Sequence, residues 1–147
     1  MQIQIQKAML SDTAAVAGLA QQLWPYHETD ELFDEFSSLL QKADAAVFLG
    51  ILNAQPIGFA QCQLRHDYVE GTGSSPVGYL EGIFVLPAYR KSGVAKLLLS
   101  ACENWAKEKG CTEFASDCEL NNEESLQFHL NVGFEEANRI ICFTKKL

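Results

Sequence analysis

The stretch from residue 77 to residue 110 constrains this chain more than any other. Val77-Gly-Tyr-Leu-Glu-Gly-Ile-Phe-Val85 is an apolar run of strand length, and Leu86-Pro87 ends it. A basic turn built around one glycine follows, Arg90-Lys-Ser-Gly-Val-Ala-Lys96, and then a helical pattern over 93–109. Val94, Leu97, Leu98, Ala101 and Trp105 lie on one side of that helix and Gly110 stops it. A strand, a tight turn and a long amphipathic helix in direct succession oblige the helix to fold back and bury its apolar stripe on the sheet. The turn then lies at the amino end of the helix, where unpaired amides and the helix dipole attract an anion, so a phosphate-bearing ligand is the expected guest. Neither G-x-x-x-x-G-K-[ST] nor G-x-G-x-x-G occurs, which excludes the nucleoside-triphosphate loop and the dinucleotide fingerprint.

The rest of the chain supplies a sheet and its cover. Ile3 and Ile5 alternate with glutamines as in a short strand. Ser11 is a candidate N-cap for a helix over 12–24 carrying Val16, Leu19, Ala20 and Leu23. After Pro25, a second helix carries Leu32, Phe33, Phe36, Leu39 and Leu40 and stops near Lys42. Runs 46–52 and 57–64, separated by the turn 53–56, predict a hairpin whose second strand continues to residue 68; 70–76 is a loop. Residues 112–117 predict a strand, 122–132 a short helix capped by Gly133, and 139–143 a closing strand. The order is βααβββαβαβ, an α+β (mixed α/β) layout with helices on a central, largely antiparallel sheet.

Composition narrows the partners. At 147 residues and 48% apolar, with no Gly/Ser-rich linker, low-complexity tract or repeat, residues 1–147 are expected to form a single domain. The amino terminus alternates polar and apolar residues, and no apolar stretch approaches membrane-spanning length, so a cytoplasmic protein with no membrane partner is expected. Five cysteines (Cys62, Cys102, Cys111, Cys118, Cys142), with no C-x-x-C and no paired histidine spacing, predict reduced thiols and no metal site. A formal charge of −8 disfavours nucleic acid and favours a cationic small molecule, although it serves solubility equally well.

Arg90, Gly93 and Ala95 fit [QR]-x-x-G-x-[GA]. Asn122, Ser125, His129 and Gly133-Phe134 resemble N-x-x-[AS]-x-x-x-Y-x-x-x-G-F. Together these patterns resemble the GNAT acetyltransferase superfamily. The resemblance implies a GNAT-like fold and acetyl-CoA as co-substrate. It places the coenzyme on backbone groups of Ile83, Phe84 and Val85 and on the turn Arg90, Lys91, Ser92, Gly93, Val94, Ala95 and Lys96, with Asn122 beside it. The departure is His129, where the family commonly has a tyrosine that protonates the leaving thiolate.

Further stretches are similar to the aminoglycoside 6'-N-acetyltransferases: Leu23-Trp-Pro-Tyr-His27, Arg65-His-Asp-Tyr-Val-Glu-Gly71, Ser75-Pro76, Leu80-Glu-Gly-Ile-Phe-Val-Leu-Pro87 and Phe114-Ala-Ser-Asp117. That resemblance implies an acceptor site lined by Trp24, His27, Tyr68, Glu81 and Asp117. Asn138 stands where relatives generally have a drug-contacting glutamate. It further implies that the Val85 amide faces the developing oxyanion and that the protein forms a homodimer through C-terminal strands. A protonated amine must pass its proton to a carboxylate, and Asp117 or Glu81 can accept it, with Asp117 the favoured one. The residue types suit the chemistry, because carboxylates and aromatic faces both bind ammonium groups. Taken singly, Trp24, His27 and Tyr68 read as ordinary structural residues. Glu81, a carboxylate among apolar neighbours in the expected central strand, needs a partner or a function. Competing readings are an acetyltransferase for a polyamine, a peptide N-terminus or another metabolite amine, or a non-catalytic acyl-CoA sensor that has lost the tyrosine.

Overall fold

The computed structural model describes residues 2–147. Its elements are β1 (Gln4–Lys7), α1 (Thr13–Leu23), α2 (Thr29–Leu39), β2 (Ala45–Leu52), β3 (Gln55–Arg65), β4 (Val77–Val85), α3 (Val94–Glu108), β5 (Phe114–Ser116) and α4 (Glu123–Asn131), with short 3₁₀ turns at Leu10–Asp12 and Pro87–Tyr89. The five strands lie in the order β1-β2-β3-β4-β5, antiparallel through β4 and parallel between β4 and β5. This is the expected α+β architecture. The β2–β3 hairpin turns on Asn53 and Ala54, both at positive φ, a backbone twist that matches the twist of the flanking strands.

Side-chain alternation divides the sheet into two faces. Phe59, Val47 and Leu49 pack with Val16, Leu19, Ala20, Leu32 and Phe36 of α1 and α2. Ala60, Cys62 and Leu80 face the other way, onto Leu98, Leu99, Cys102 and Trp105 of α3. The three thiols Cys62, Cys102 and Cys111 are buried and unpaired, as read from the sequence.

Two features position the site. β4 and β5 share only three ladder pairs, Gly78↔Phe114, Tyr79↔Ala115 and Leu80↔Ser116, while β4 runs on to Val85 alongside β3. The sheet therefore opens beyond Leu80. At the same point Cys62 pairs with Leu80 and Gln61 with Gly82, leaving Glu81 as the extra residue of a β-bulge, a device that re-aims a side chain.

The closing strand expected at 139–143 does not form. Residues 134–147 carry no strand, and Ile140, Ile141 and Phe143 are 68%, 80% and 87% exposed. Their composition suits a strand, but β5 offers them no ladder within the chain, and an apolar strand without a neighbouring edge gains nothing by extension alone. β5 is also shorter than the expected 112–117, because it has a partner only as far as Ser116.

Candidate active site

Glu81 gains its position from the bulge. Its carboxylate lines a cleft of about 270 Å³ shared with Trp24 and His27, Glu35 and Phe36 of α2, and Gln61 of β3. Trp24, the C-terminal cap of α1, stands edge-on to Phe59 at 6.1 Å between ring centroids. His27 Nδ1 lies 2.8 Å from Glu31 Oε1, one turn into α2. His27, just ahead of α2, and Glu31 and Glu35 within it are exposed and close together, and of the three His27 and Glu35 line the cleft.

A charged network ties the two expected carboxylates together. Arg65, at the end of β3, donates from Nε to Glu81 Oε2 at 2.9 Å and from Nη2 to Glu81 Oε1 at 2.7 Å. Its guanidinium stacks 3.4 Å above the ring of Tyr79. The Tyr79 hydroxyl in turn donates to Asp117 Oδ2. Glu81 and Asp117, 36 positions apart in the sequence, thus belong to one assembly at the mouth of the β4–β5 opening. The hydrogen bonds that Arg65 donates to Glu81 raise its pKa further, so the guanidinium remains charged throughout.

Tyr68 and Asn138 form a second group. The Tyr68 hydroxyl donates to Glu70 Oε2 at 2.5 Å, and Asn138 Nδ2 donates to Glu70 Oε1 at 3.1 Å. These two hydrogen bonds hold the Glu70 carboxyl below the usual carboxylate range. The amide at position 138 is therefore a partner of Glu70 and does not line the cleft around Glu81.

The open side of β4 faces the coenzyme turn. Leu86 N–H donates to the Ile57 carbonyl on the β3 side. By strand alternation the amides of Val85 and Ile83 point away from β3, into the opening, while Phe84 points its backbone to β3. Gly93 caps α3 at φ 88°, in the left-handed region, and a side chain there would project into open space. Lys91 is also left-handed, at φ 62°. The amides from Lys91 to Lys96, including Ser92, Val94 and Ala95, precede or open the helix without intrahelical acceptors. A pyrophosphate suits this turn: nothing obstructs the approach at Gly93, and Lys91 and Lys96 supply exposed cations. Arg90 donates its Nε to the Val85 carbonyl at 2.8 Å, so its first job is to brace the strand end against the turn.

On the far side of the opening, Asn122 caps α4 by accepting from Ser125 N–H at 3.1 Å. His129 Nδ1 lies 2.7 Å from the Ser125 carbonyl, which can only accept, so Nδ1 carries the hydrogen. In the neutral ring Nε2 then accepts from the Ser116 hydroxyl at 2.8 Å. So arranged, histidine has no proton to offer the opening.

Arg65, Tyr79, Gln61, Glu35 and Ser116 join the site without having been singled out from the sequence. Arg65 lies within the Arg65–Gly71 string, and residues 61, 65, 79 and 81 share one face of neighbouring strands. The register of β3 against β4 is what brings Gln61, Arg65 and Tyr79 to Glu81, while Glu35 and Ser116 arrive from α2 and β5.

Comparison with known proteins agrees with this fold. The sequence pattern of the acetyltransferase (GNAT) family matches residues 13–134. The aminoglycoside N(6')-acetyltransferase type 1 of Salmonella typhimurium is 46% identical over 129 residues, covering 88% of this chain and 89% of the relative. That of Stenotrophomonas maltophilia is 42% identical over 144 residues, covering 97% and 93%. Among solved structures, AAC(6')-Iy in complex with the bisubstrate analogue CoA-S-monomethyl-acetylneamine superposes with a TM-score of 0.96 at 41% identity over all of both chains. AAC(6')-Ih from Acinetobacter baumannii does so with 0.94 at 39% identity, covering 99% of each.

Proposed function

Because the chain belongs to the acetyltransferase (GNAT) family and groups within it with the aminoglycoside N(6')-acetyltransferases, we propose that it transfers the acetyl group of acetyl-CoA to the 6'-amine of an aminoglycoside. One observation carries this reading: the β4–β5 opening has a phosphate cradle on one flank and a paired-carboxylate assembly, Glu81 and Asp117, on the other. An acyl thioester and a polycationic amine can meet there.

Bound acetyl-CoA supplies an activated carbonyl and a thiol leaving group, held by the cradle from Arg90 to Lys96 and by the backbone of Ile83 and Val85, with Asn122 alongside; Phe84, expected to share in this, turns its backbone to β3 instead. Glu81, Trp24 and His27 hold ammonium groups of the acceptor, with Tyr68 and Asn138 at its periphery. Asp117 accepts the amine's proton, directly or through water, using the oxygen capacity that Tyr79 leaves free. The Val85 amide donates to the carbonyl oxygen as the amine's lone pair forms the C–N bond and the C–S bond breaks. A thiol has a pKa close to that of cysteine and leaves near neutral pH with little assistance, consistent with a His129 that acts as an acceptor.

Residues 1–147 act as one cytoplasmic catalytic domain that forms a homodimer; the exposed apolar segment around Ile140, Ile141 and Phe143 supports the pairing. Sedimentation of the wild type beside Ile141→Asp tests it, with a monomeric wild type as the contrary outcome.

Thiol release from acetyl-CoA with tobramycin, amikacin, gentamicin and spermine side by side, with the product position read by NMR, tests the activity. Acetylation at the 6'-nitrogen is the expected result. Faster turnover of spermine would make this a polyamine enzyme, and tight acetyl-CoA binding with no thiol release would make it a sensor.

A further inference from the structure

We infer that Arg65 is a positioning residue that sets the net charge of the acceptor site, and thereby how readily a bound ammonium group gives up the proton that blocks its attack. The inference rests on the acyl-transfer reading above and concerns the same site.

The geometry is directional. A guanidinium that reaches back along β3–β4, grips both oxygens of Glu81 and lies flat on Tyr79 is fixed in place, and through Tyr79 it is coupled to Asp117. The Arg65 side chain is 39% exposed and that of Glu81 16%, so the pair is half-buried and its charges act on the groups around it with less screening than a surface pair. The groups it touches, or reaches through them, are anionic or titratable: Glu81 and Tyr79 on β4 and Asp117 beyond β5, with Glu35 and His27 lining the same cleft as Glu81 from α2 and its approach. Among these described residues Arg65 is the one with a permanent positive charge.

The consequence is electrostatic. An alkylammonium must become a neutral amine before it can attack, with the proton passing to Asp117. Carboxylates bind the ammonium but also stabilise it against losing that proton. With no opposing cation, the site would hold its substrate in the unreactive form. Arg65 offsets one negative charge while its fork keeps the Glu81 oxygens oriented. Lysine can match the charge and cannot match the fork.

The pH dependence of kcat, measured with saturating acetyl-CoA and tobramycin for the wild type, Arg65→Gln and Arg65→Lys, tests this. Arg65→Gln should move the rising limb to higher pH by about one to two units, the effect of removing a unit charge roughly 6–8 Å away at an effective dielectric of about 20–40. Arg65→Lys should leave the limb in place and raise the tobramycin KM. A limb in Arg65→Gln that coincides with the wild type overturns the inference. If Arg65→Gln does not fold, Glu81→Gln gives the reciprocal test: the limb should move to lower pH, and an unmoved limb is equally fatal. A wild type that acetylates no aminoglycoside overturns the underlying activity and this inference with it. An active wild type with unmoved limbs overturns the inference alone.

Discussion

The indole of Trp24 lies where residue 82 would carry a side chain: a Cβ at Gly82 would fall 2.7 Å from two atoms of that ring. The bulge that turns out Glu81 thus also creates the seat for the aromatic wall opposite it. Gly82→Ala should displace the indole and cost about 1–3 kcal/mol of stability. In steady-state kinetics, kcat/KM for aminoglycosides should drop at least about tenfold, with the acetyl-CoA KM nearly unchanged. Equal losses for both substrates would show that Trp24 only supports the fold.

Gly93 makes the complementary case on the coenzyme side. Gly93→Asp puts a negative charge and a side chain into the space that its left-handed backbone leaves open. The acetyl-CoA KM should rise by at least about tenfold. An unchanged KM would remove the turn from the coenzyme site.

For the carboxylates, Glu81→Gln and Asp117→Asn should leave acetyl-CoA affinity nearly intact. Their aminoglycoside kcat/KM should fall roughly a hundredfold or more, since each loses a charge-assisted contact worth about 1.5–3 kcal/mol. The two variants should differ in kind. If Asp117 is the base, its variant loses kcat and the pH-dependent limb, whereas pure binding roles raise KM. Wild-type drug kinetics in both variants would refute the acceptor site.

His129→Ala should lower kcat by less than about tenfold, because the neutral ring spends its hydrogen on the Ser125 carbonyl and its lone pair on Ser116. A loss of about a thousandfold with binding intact would make histidine the essential acid.

Tyr79 offers a spectroscopic check. Burial, and then its hydrogen bond to the Asp117 carboxylate, push its phenol well above the ordinary tyrosine range. The folded state therefore disfavours the phenolate. The resulting stability is complete below a pH of about 10 and is lost as pH rises from there through the folded value. In an ultraviolet titration of the four tyrosines, Tyr79 should ionise last, and Tyr79→Phe should abolish that final step. A final step that survives the substitution would belong to another tyrosine.

The central strand, the basic turn and α3 are legible in the sequence because each announces itself locally: an apolar run, a glycine among cations, a repeat at helical spacing. Glu81 is legible as an anomaly, a carboxylate among Leu80, Ile83 and Phe84. That it is a bulge residue is not, since a bulge exists only relative to a partner strand. Arg65 escapes for the same reason, because its contact with Glu81 depends on how β3 and β4 are registered across a loop of 66–76. The closing strand is the opposite case. Ile140, Ile141 and Phe143 have strand character, but character without an available edge does not make a strand. Asn138 is tied to the acceptor site by resemblance alone, and in the fold its side-chain amide donates to Glu70.

The extra residue at Glu81 divides β4 into two phases. Before it, Gly78 and Leu80 look toward α3 and Tyr79 looks the other way; after it, Ile83 and Val85 look toward α3 and Phe84 the other way. A further insertion or deletion in this strand that no bulge absorbed would exchange the two faces of the segment beyond it. Substitutions at positions such as 61, 65 and 81 avoid that penalty, altering the wall of the cleft while the backbone on the open side of the same strand stays in frame.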